Sequence, residues 1–372
     1  MRRLSLSVVT AALLATGAHA APGDAAAGLQ ALRELNLVVF GTLSTNGQEV
    51  EGRSFVGSLA AANFTNFGIG STSQGSAASS YDVLSVVGNA TGSFRLKAGY
   101  ANGSNANPLG DTARIGGNVG YIDFNDANGA IGKLVAGGNL TTQFNVNNHK
   151  VTYGGTAAGG INGAVKDASL AAGGANDVAA GLAVQMSALS NNLTALSTQL
   201  ASLKALDTIS PTSSALNYSG ATGGYAVFTM TEAAFTDQNA NFDNLFKGMP
   251  SGVTTIINVL GTNLTERGNV NDKALNQNVI WNFSQAQSLS LKGFHGTVLA
   301  PLASLVNSSA IEGTIVAKSM QLNGEVHLGT YAGTSSFLGT SAVPEPASWA
   351  LLLFGFGTLG GVLRKRRALA LA

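Results

Sequence analysis

Apolar residues between about positions 36 and 333 come in short β-branched runs, and the punctuation between the runs is glycine and asparagine rather than charge. That pattern predicts many short strands joined by tight turns. Some runs repeat. Gly296-Thr297-Val298-Leu299-Ala300 returns 17 residues later as Gly313-Thr314-Ile315-Val316-Ala317, and each is followed by an apolar stretch ending in leucine, Leu305 and Leu322. Gly116-Gly117-Asn118-Val119 returns after 21 residues as Gly137-Gly138-Asn139-Leu140, and Val50-Glu51-Gly52 is echoed by Ile311-Glu312-Gly313. A spacing of 17–21 with a strand after each glycine predicts an all-β fold of the β-solenoid type, whose coils bury their apolar faces only by stacking. Ten coils at ~4.8 Å would make a rod of roughly 50 Å. A β-sandwich, the alternative, also has short strands and regular turns, but it need not repeat a phrase in register.

One segment has a different period. Val178, Leu182, Met186, Leu189, Leu193, Leu196, Leu200 and Leu203 are spaced three and four apart, with Asp177 placed to cap the start and Pro211 beyond the end. This predicts one long helix over about 177–206 with a single apolar stripe. A dimerising coiled coil would normally carry charged flanking positions, and Gln185, Asn192 and Gln199 offer none. The stripe is therefore expected to pack lengthwise on the β body.

The two ends read as addresses. Arg2 and Arg3, the mostly apolar Leu4 to Leu14, and Ala18-His19-Ala20 have the three-part form of a secretory signal over 1–20, cleaved after Ala20. After a linker, 334–343, comes Pro344-Glu345-Pro346, then 17 uncharged residues, 347–363, then Arg364-Lys365-Arg366-Arg367. At 1.5 Å per residue the uncharged stretch reaches about 25 Å, the short limit for a transmembrane helix. The basic tail would stay cytoplasmic and leave the body outside. This order closely resembles the PEP-CTERM sorting signal, which implies recognition by an exosortase-type membrane protease and removal of the tail, often in bacteria that make exopolysaccharide. Gly355, Gly357 and Gly360 fit the dinucleotide fingerprint G-x-G-x-x-G, but inside an apolar span with no preceding strand they are not a nucleotide site. Gly357 and Gly361 form a G-x-x-x-G that would pack against another membrane helix.

Composition narrows the function. The chain has no cysteine, which excludes disulfides and cysteine-ligated metals. Setting aside the six basic residues at the ends and Glu345 leaves 14 positive and 18 negative charges, so the body is mildly acidic and has no general reason to bind nucleic acid. Catalytic groups are sparse. Of the body's three histidines, His149, His295 and His327, none has a metal-binding spacing, and no G-x-S-x-G elbow occurs. Two loops could hold calcium. Asp237, Asn239, Asn241 and Asp243 stand at alternate positions, as a calcium loop begins, but Phe242 occupies the place of the turn glycine and no glutamate closes the loop. Asp123, Asn125, Asp126, Asn128 and Gly129 form the second candidate. Such residues also cap turns without metal, so the expectation is no cofactor, with calcium as the one exception to test. Thr297 and Thr314 begin a threonine column of the kind ice binding would need, and two members are too few.

The body also resembles choice-of-anchor A domains, adhesive domains of bacterial surface proteins joined to interchangeable anchors. The likeness is carried by Val50-Glu51-Gly52-Arg53, Ile256 to Gly261, Val279-Ile280-Trp281-Asn282-Phe283, the two Gly-Thr phrases with Pro301, and Glu325-Val326-His327, in that order. It departs at Gly57-Ser58, where such domains commonly have Gly-Gly-Asn. The resemblance covers mainly 253–333 and 36–60, and it transfers no catalytic residue. It implies an exported, non-catalytic surface or matrix protein spanning 21–333, concerned with adhesion or biofilm, anchored in the inner membrane until processed and then held in the outer envelope or matrix. Exopolysaccharide or a surface ligand would be its partner. The competing reading is a polysaccharide-active enzyme using Asp123, Asp126, Asp237 and Asp243, since β-solenoids also host such chemistry.

Overall fold

The computed structural model describes residues 23–70, 76–97, 109–125, 130–268, 270 and 275–339. The expected signal segment, the sorting motif with its apolar span and basic tail, and Asp126, Asn128 and Gly129 lie outside these residues. The body is an all-β solenoid, and every pairing between its strands is parallel. That removes the sandwich, whose sheets are antiparallel.

The order of stacking differs from the order of the chain. The first coil, Leu37–Thr45, pairs with Ser54–Phe67 on one side and with the last long strand, Ile315–Leu322, on the other. From Ser54–Phe67 the stack continues through Leu84–Val86, Thr112–Ile115, Lys133–Ala136 and Lys150–Tyr153 to Val165–Lys166. From Ile315–Leu322 it runs backwards in sequence, through Thr297–Asn307, Val279–Asn282, Thr254–Val259 and Tyr225–Met230 to Asp207–Ile209. The chain thus starts in the middle, winds to one end, crosses to the other, and winds back to close on its own beginning. Thirteen strands in one row make a stack of about 58 Å at ~4.8 Å per step.

The crossing is the long helix α2, Val178–Ser202. Asp177 caps it through Ala180 N–H. The first seven residues of the expected stripe are buried, while Leu203 is the half-buried C-cap, so the helix stops short of the expected 206. Leu203 is already extended because the chain must turn there into Asp207–Ile209. At one end Ala179 lies against Gly116, and at the other Leu200 C=O accepts from Asn258. Those points are seven coils apart, about 34 Å, and 21 helical residues rise about 32 Å. Helix length and coil count match.

A second helix, α1 (Ala25–Glu34), lies beside α2 and was not legible as a stripe. The two approach closely at Gly28, where a Cβ would sit 2.4 Å from Asn192 C=O. Beneath them Val38, Phe55, Val227, Ile256, Ile280, Leu299 and Val316 form a layer separate from the core inside the coils.

Candidate functional site

The coils are three-sided, and each side has its own chemistry. The first side lies under α1 and α2. Its outer column reads Asn258, Asn282, Leu299, Val316, Val38, Phe55, Ser85, Arg114, Val135. Asn258 and Asn282 bond each other, Ser197 and the carbonyls of Ser197 and Leu200, so their polarity is satisfied by α2. Thr297 and Thr314 also face this side and are fully buried. Thr314 donates to the carbonyls of Leu32 and Leu35. Of the two expected threonines, Thr314 therefore anchors α1, whereas the Thr297 hydroxyl is buried without a partner, and neither has access to an ice surface.

A second side carries the charges. Glu49, Asn66, Arg95 and Asp123 fall in one column, tied by Asn66 to Glu49 (2.9 Å) and Arg95 to Asp123 (2.8 Å). Next to it His295, Glu312 and His327 stack on successive coils. His327 lies between Glu312 (2.6 Å) and Glu325 (2.8 Å). The Glu312 hydrogen bond, opposed by burial and helped by Glu325, pushes the imidazole up to about 9. Glu51 joins this group from the first coil, its carboxylate accepting from Leu328 N–H (2.6 Å), and burial raises its pKa. Sequence reading missed this cluster because Glu51 and His327 are brought together only by closure of the first coil on the last. The echo of Val50-Glu51-Gly52 with Ile311-Glu312-Gly313 was its one signal: Ile311 pairs with Val326, and Val326 with Val50.

The third side is open, flat and neutral. One column runs Thr265, Ser290, Val306, Gln321, Ser44, Ala60, Thr91 over seven coils. A parallel column runs Asn263, Ser288, Ser304, Ser319, and continues in Thr42 and Ser58 beside the Leu43–Met320 pair. Between the columns Leu264, Leu289, Leu305, Met320, Leu43 and Leu59 point inward and are buried. Hydroxyls link along the column, Ser304 to Ser319 (3.0 Å) and Thr42 to Ser58 (2.9 Å). Neither column holds a charge; Lys318 is exposed at the corner beside Ser319. The alternation that builds this face, polar–Leu–polar in Asn263-Leu264-Thr265, Ser288-Leu289-Ser290 and Thr42-Leu43-Ser44, was available in the sequence and went unread.

The other expected site residues are scattered. Asp237 accepts from Asn239 N–H in a local turn (2.9 Å), Asn241 begins the short helix Phe242–Leu245, and Phe242 is a core residue stacked on Phe235. Asp123 is paired with Arg95, and Asn125 accepts from Lys97 (3.0 Å). Asp123 and Asp237 stand at coils eight steps apart, about 38 Å along the stack, whereas a glycosidase pair needs carboxylates within ~10 Å. His149 accepts from Gly132 N–H and stacks on Phe124, and His295 bonds Asn276. Among the described residues no group of three histidine or acidic side chains is placed to hold a metal, and no helix is long and apolar enough to cross a membrane.

Comparison with known proteins bears on the family and on the C-terminal motif. The sequence model of the family described as "Putative Ice-binding-like adhesive domain" matches residues 110–328. That of the PEP-CTERM protein-sorting motif matches 342–367, which includes Pro344, Glu345, Pro346 and the Arg364–Arg367 tail. No curated protein matches the chain. Among solved structures, an ice binding protein from an Antarctic bacterium Flavobacteriaceae aligns over 82% of this chain and 99% of its own, with 11% identity and a TM-score of 0.17, a likeness too distant to carry an argument.

Proposed function

The chain belongs to the family described as "Putative Ice-binding-like adhesive domain", and we propose that its exported form is a non-catalytic surface or matrix protein that adheres through its open hydroxyl-bearing face. The observation that carries this is the segregation of chemistry. The ion pairs lie on two sides, Arg95–Asp123 and the His327 group on one and Arg114–Asp82 at the end of the helix-covered one, and the third side presents two uncharged polar columns. A flat ladder of hydroxyl and amide groups at constant rise suits an extended, repetitive partner such as a polysaccharide chain or a hydrated solid. It offers no concave pocket with converging acids and bases, which catalysis would need.

The test is to place charge on the face without touching the core. In the triple variant Ser288→Lys, Ser304→Lys, Ser319→Lys, attachment of the purified protein to exopolysaccharide from its own host should fall at least tenfold while the circular dichroism spectrum stays unchanged. Undiminished attachment would remove this face from the function. Sorting by an exosortase-type protease is the second part of the proposal. The same exported material, weighed intact, should begin near Ala21 and end near Pro346, and a retained Arg364–Arg367 tail would refute the processing.

Ice binding is a second reading, favoured by the regular rise of the two columns. Val306, Gln321 and Ala60 interrupt the hydroxyl row, so thermal hysteresis is expected to be absent, and clear hysteresis abolished by the triple lysine variant would put ice in place of polysaccharide.

A further inference from the structure

The outer column beneath α2 changes character at one place. From Leu299 to Phe55 its members are apolar and buried, and then it presents Ser85 and Arg114 on successive coils. At the other end of α2 the polar members, Asn258 and Asn282, are sealed by direct hydrogen bonds to the helix. At this end, beside the contact of Ala179 with Gly116, a cavity of about 570 Å³ opens between the first turns of α2, the Ser80–Asp82 segment and the two coils. That volume lies in the range of small-molecule sites.

The walls are built for hydrogen bonding. Arg114 donates through Nε to Asp82 (2.7 Å), and among the described residues Asp82 is its one partner, so the outer guanidinium nitrogens are uncommitted. The Tyr81 ring is fixed edge-on against Phe55, at 5.9 Å between centroids. Gln185 projects from the second turn of α2 and has no hydrogen-bond partner among the described residues. The helix also carries a glycine at the cavity wall. Gly181 is not needed for packing, since a Cβ there would meet nothing within 4 Å. A longer side chain at this position would reach into the cavity mouth without clashing with the fold.

Charge selects the class of ligand. Arg114 is balanced by Asp82, and Asp177 at the rim already accepts from the backbone N–H groups of Ala180 and Gly173. The site therefore has no surplus positive charge for an anion. Hydroxyls that both donate and accept, together with a C–H face against an aromatic ring, fit what remains. We propose that this cavity binds one or two residues of a neutral saccharide, with Arg114 and Gln185 bonding its hydroxyls and Tyr81 packing against its ring face. The inference is separate from the open face and survives if that face proves inert.

Ligand-observed NMR and calorimetry on the purified exported protein test it, using a panel of neutral mono- and disaccharides with glucuronate and inorganic phosphate as charged controls. At least one neutral sugar should bind saturably. Gly181→Gln, which fills the cavity mouth with a better helix former, should weaken that binding at least tenfold, and so should Arg114→Gln. The triple lysine variant of the open face should leave it unchanged. The proposal is overturned if no neutral sugar saturates, if the charged controls bind in preference, or if Gly181→Gln binds as well as the parent while its circular dichroism confirms an intact fold. Loss of surface attachment in the lysine variant alongside any of these outcomes would leave the adhesion reading standing.

Discussion

Asparagine is the residue that turns a winding chain into a stack. Asn89, Asn118 and Asn139 occupy one corner of successive coils, and each side-chain oxygen accepts the backbone N–H of the next coil: Asn118 N to Asn89, Asn139 N to Asn118, and Thr156 N to Asn139, all at 2.7–2.8 Å. The glycines before the asparagines, Gly88 before Asn89 and a pair before Asn118 and Asn139, are a matter of space. A Cβ on Gly137 would lie 2.3 Å from Gly116 C=O, and one on Gly138 would lie 2.6 Å from the Asn118 oxygen. The Gly-Gly-Asn repeat was therefore readable in the sequence, and it means corner ladder. Ionisable groups at this scale were not readable, because their neighbours come from distant coils. Glu266 is one: it is buried, accepts from Lys292 N–H (2.7 Å), and is pushed up to about 8 by burial, against the opposing pull of that bond and of the Lys292 charge. His327 is raised to about 9 by Glu312. Both groups hold a proton more tightly in the folded state than in the unfolded one. Their contribution to stability is therefore complete below the unfolded values, 4.5 for Glu266 and 6.5 for His327, and is lost as pH rises through about 8 and about 9. The thermal midpoint should thus fall between pH 6.5 and pH 9, by at least about 3 °C. In the double variant Glu266→Gln, His327→Gln the slope should flatten, and an unchanged slope would mean that other groups set it.

At the scale of elements, period and length decided what could be foreseen. The 3-4 spacing of the α2 stripe survives translation into structure because one helix face meets one column of the stack, so the stripe and its burial are the same fact. Helix α1 is not legible as a stripe because it is only ten residues long and its buried residues are mixed: Leu29, Ala31 and Leu32 pack inward, while Gly28 allows the close approach to Asn192. The strands were foreseen as a class, but their faces were not. A tripeptide with a polar residue before a buried Leu or Met looks like any exposed strand until the register shows six of them side by side. The weight carried by α2 can be tested at Leu193, which is fully buried at the centre of the stripe. Leu193→Asp would put an unpaired carboxylate between helix and sheet and should cost at least about 3 kcal/mol in denaturant unfolding. Leu193→Met, which conserves volume, should cost less than ~1.5 kcal/mol. If the aspartate variant lost less than ~0.5 kcal/mol, the helix would be an accessory rather than the second core's lid.

The whole molecule is held together by a seam between residues that are almost the full length of the body apart. Leu37 pairs with Ile315, Val50 with Val326, and Glu51 N–H donates to Val326 C=O. The order of the chain conceals this, since a solenoid read from sequence is expected to stack in sequence order, and only the Val-Glu-Gly echo hinted otherwise. The phrase Val50-Glu51-Gly52-Arg53 has a physical meaning at the seam. Val50 fills the core, Glu51 caps Leu328, Gly52 leaves room for Asn36, and Arg53 satisfies the carbonyls of Glu34, Ala77 and Leu109. Asn36 is the central staple. Its amide donates to Gly313 C=O (2.6 Å) and His327 C=O (2.9 Å), and its oxygen accepts from Gly52 N–H (2.9 Å), all out of water. Asn36→Ala would strand Gly313 C=O and Gly52 N–H and leave His327 C=O with Gly313 N–H alone, and at ~1–3 kcal/mol for a buried unsatisfied group the loss should be about 2–5 kcal/mol. Asn36→Asp should be worse, since it keeps the acceptor but sets a carboxylate against two carbonyls. Because opening the seam separates two half-stacks without unwinding either, the damage should be local. Hydrogen exchange in Asn36→Ala should quicken at the amides of Glu51, Gly313 and Ile315, and stay slow at Thr255 and Lys133 in the coils toward the two ends. Uniform acceleration along the stack would mean that the halves cannot part, and that closure of the first coil on the last is no weaker than any other step between coils.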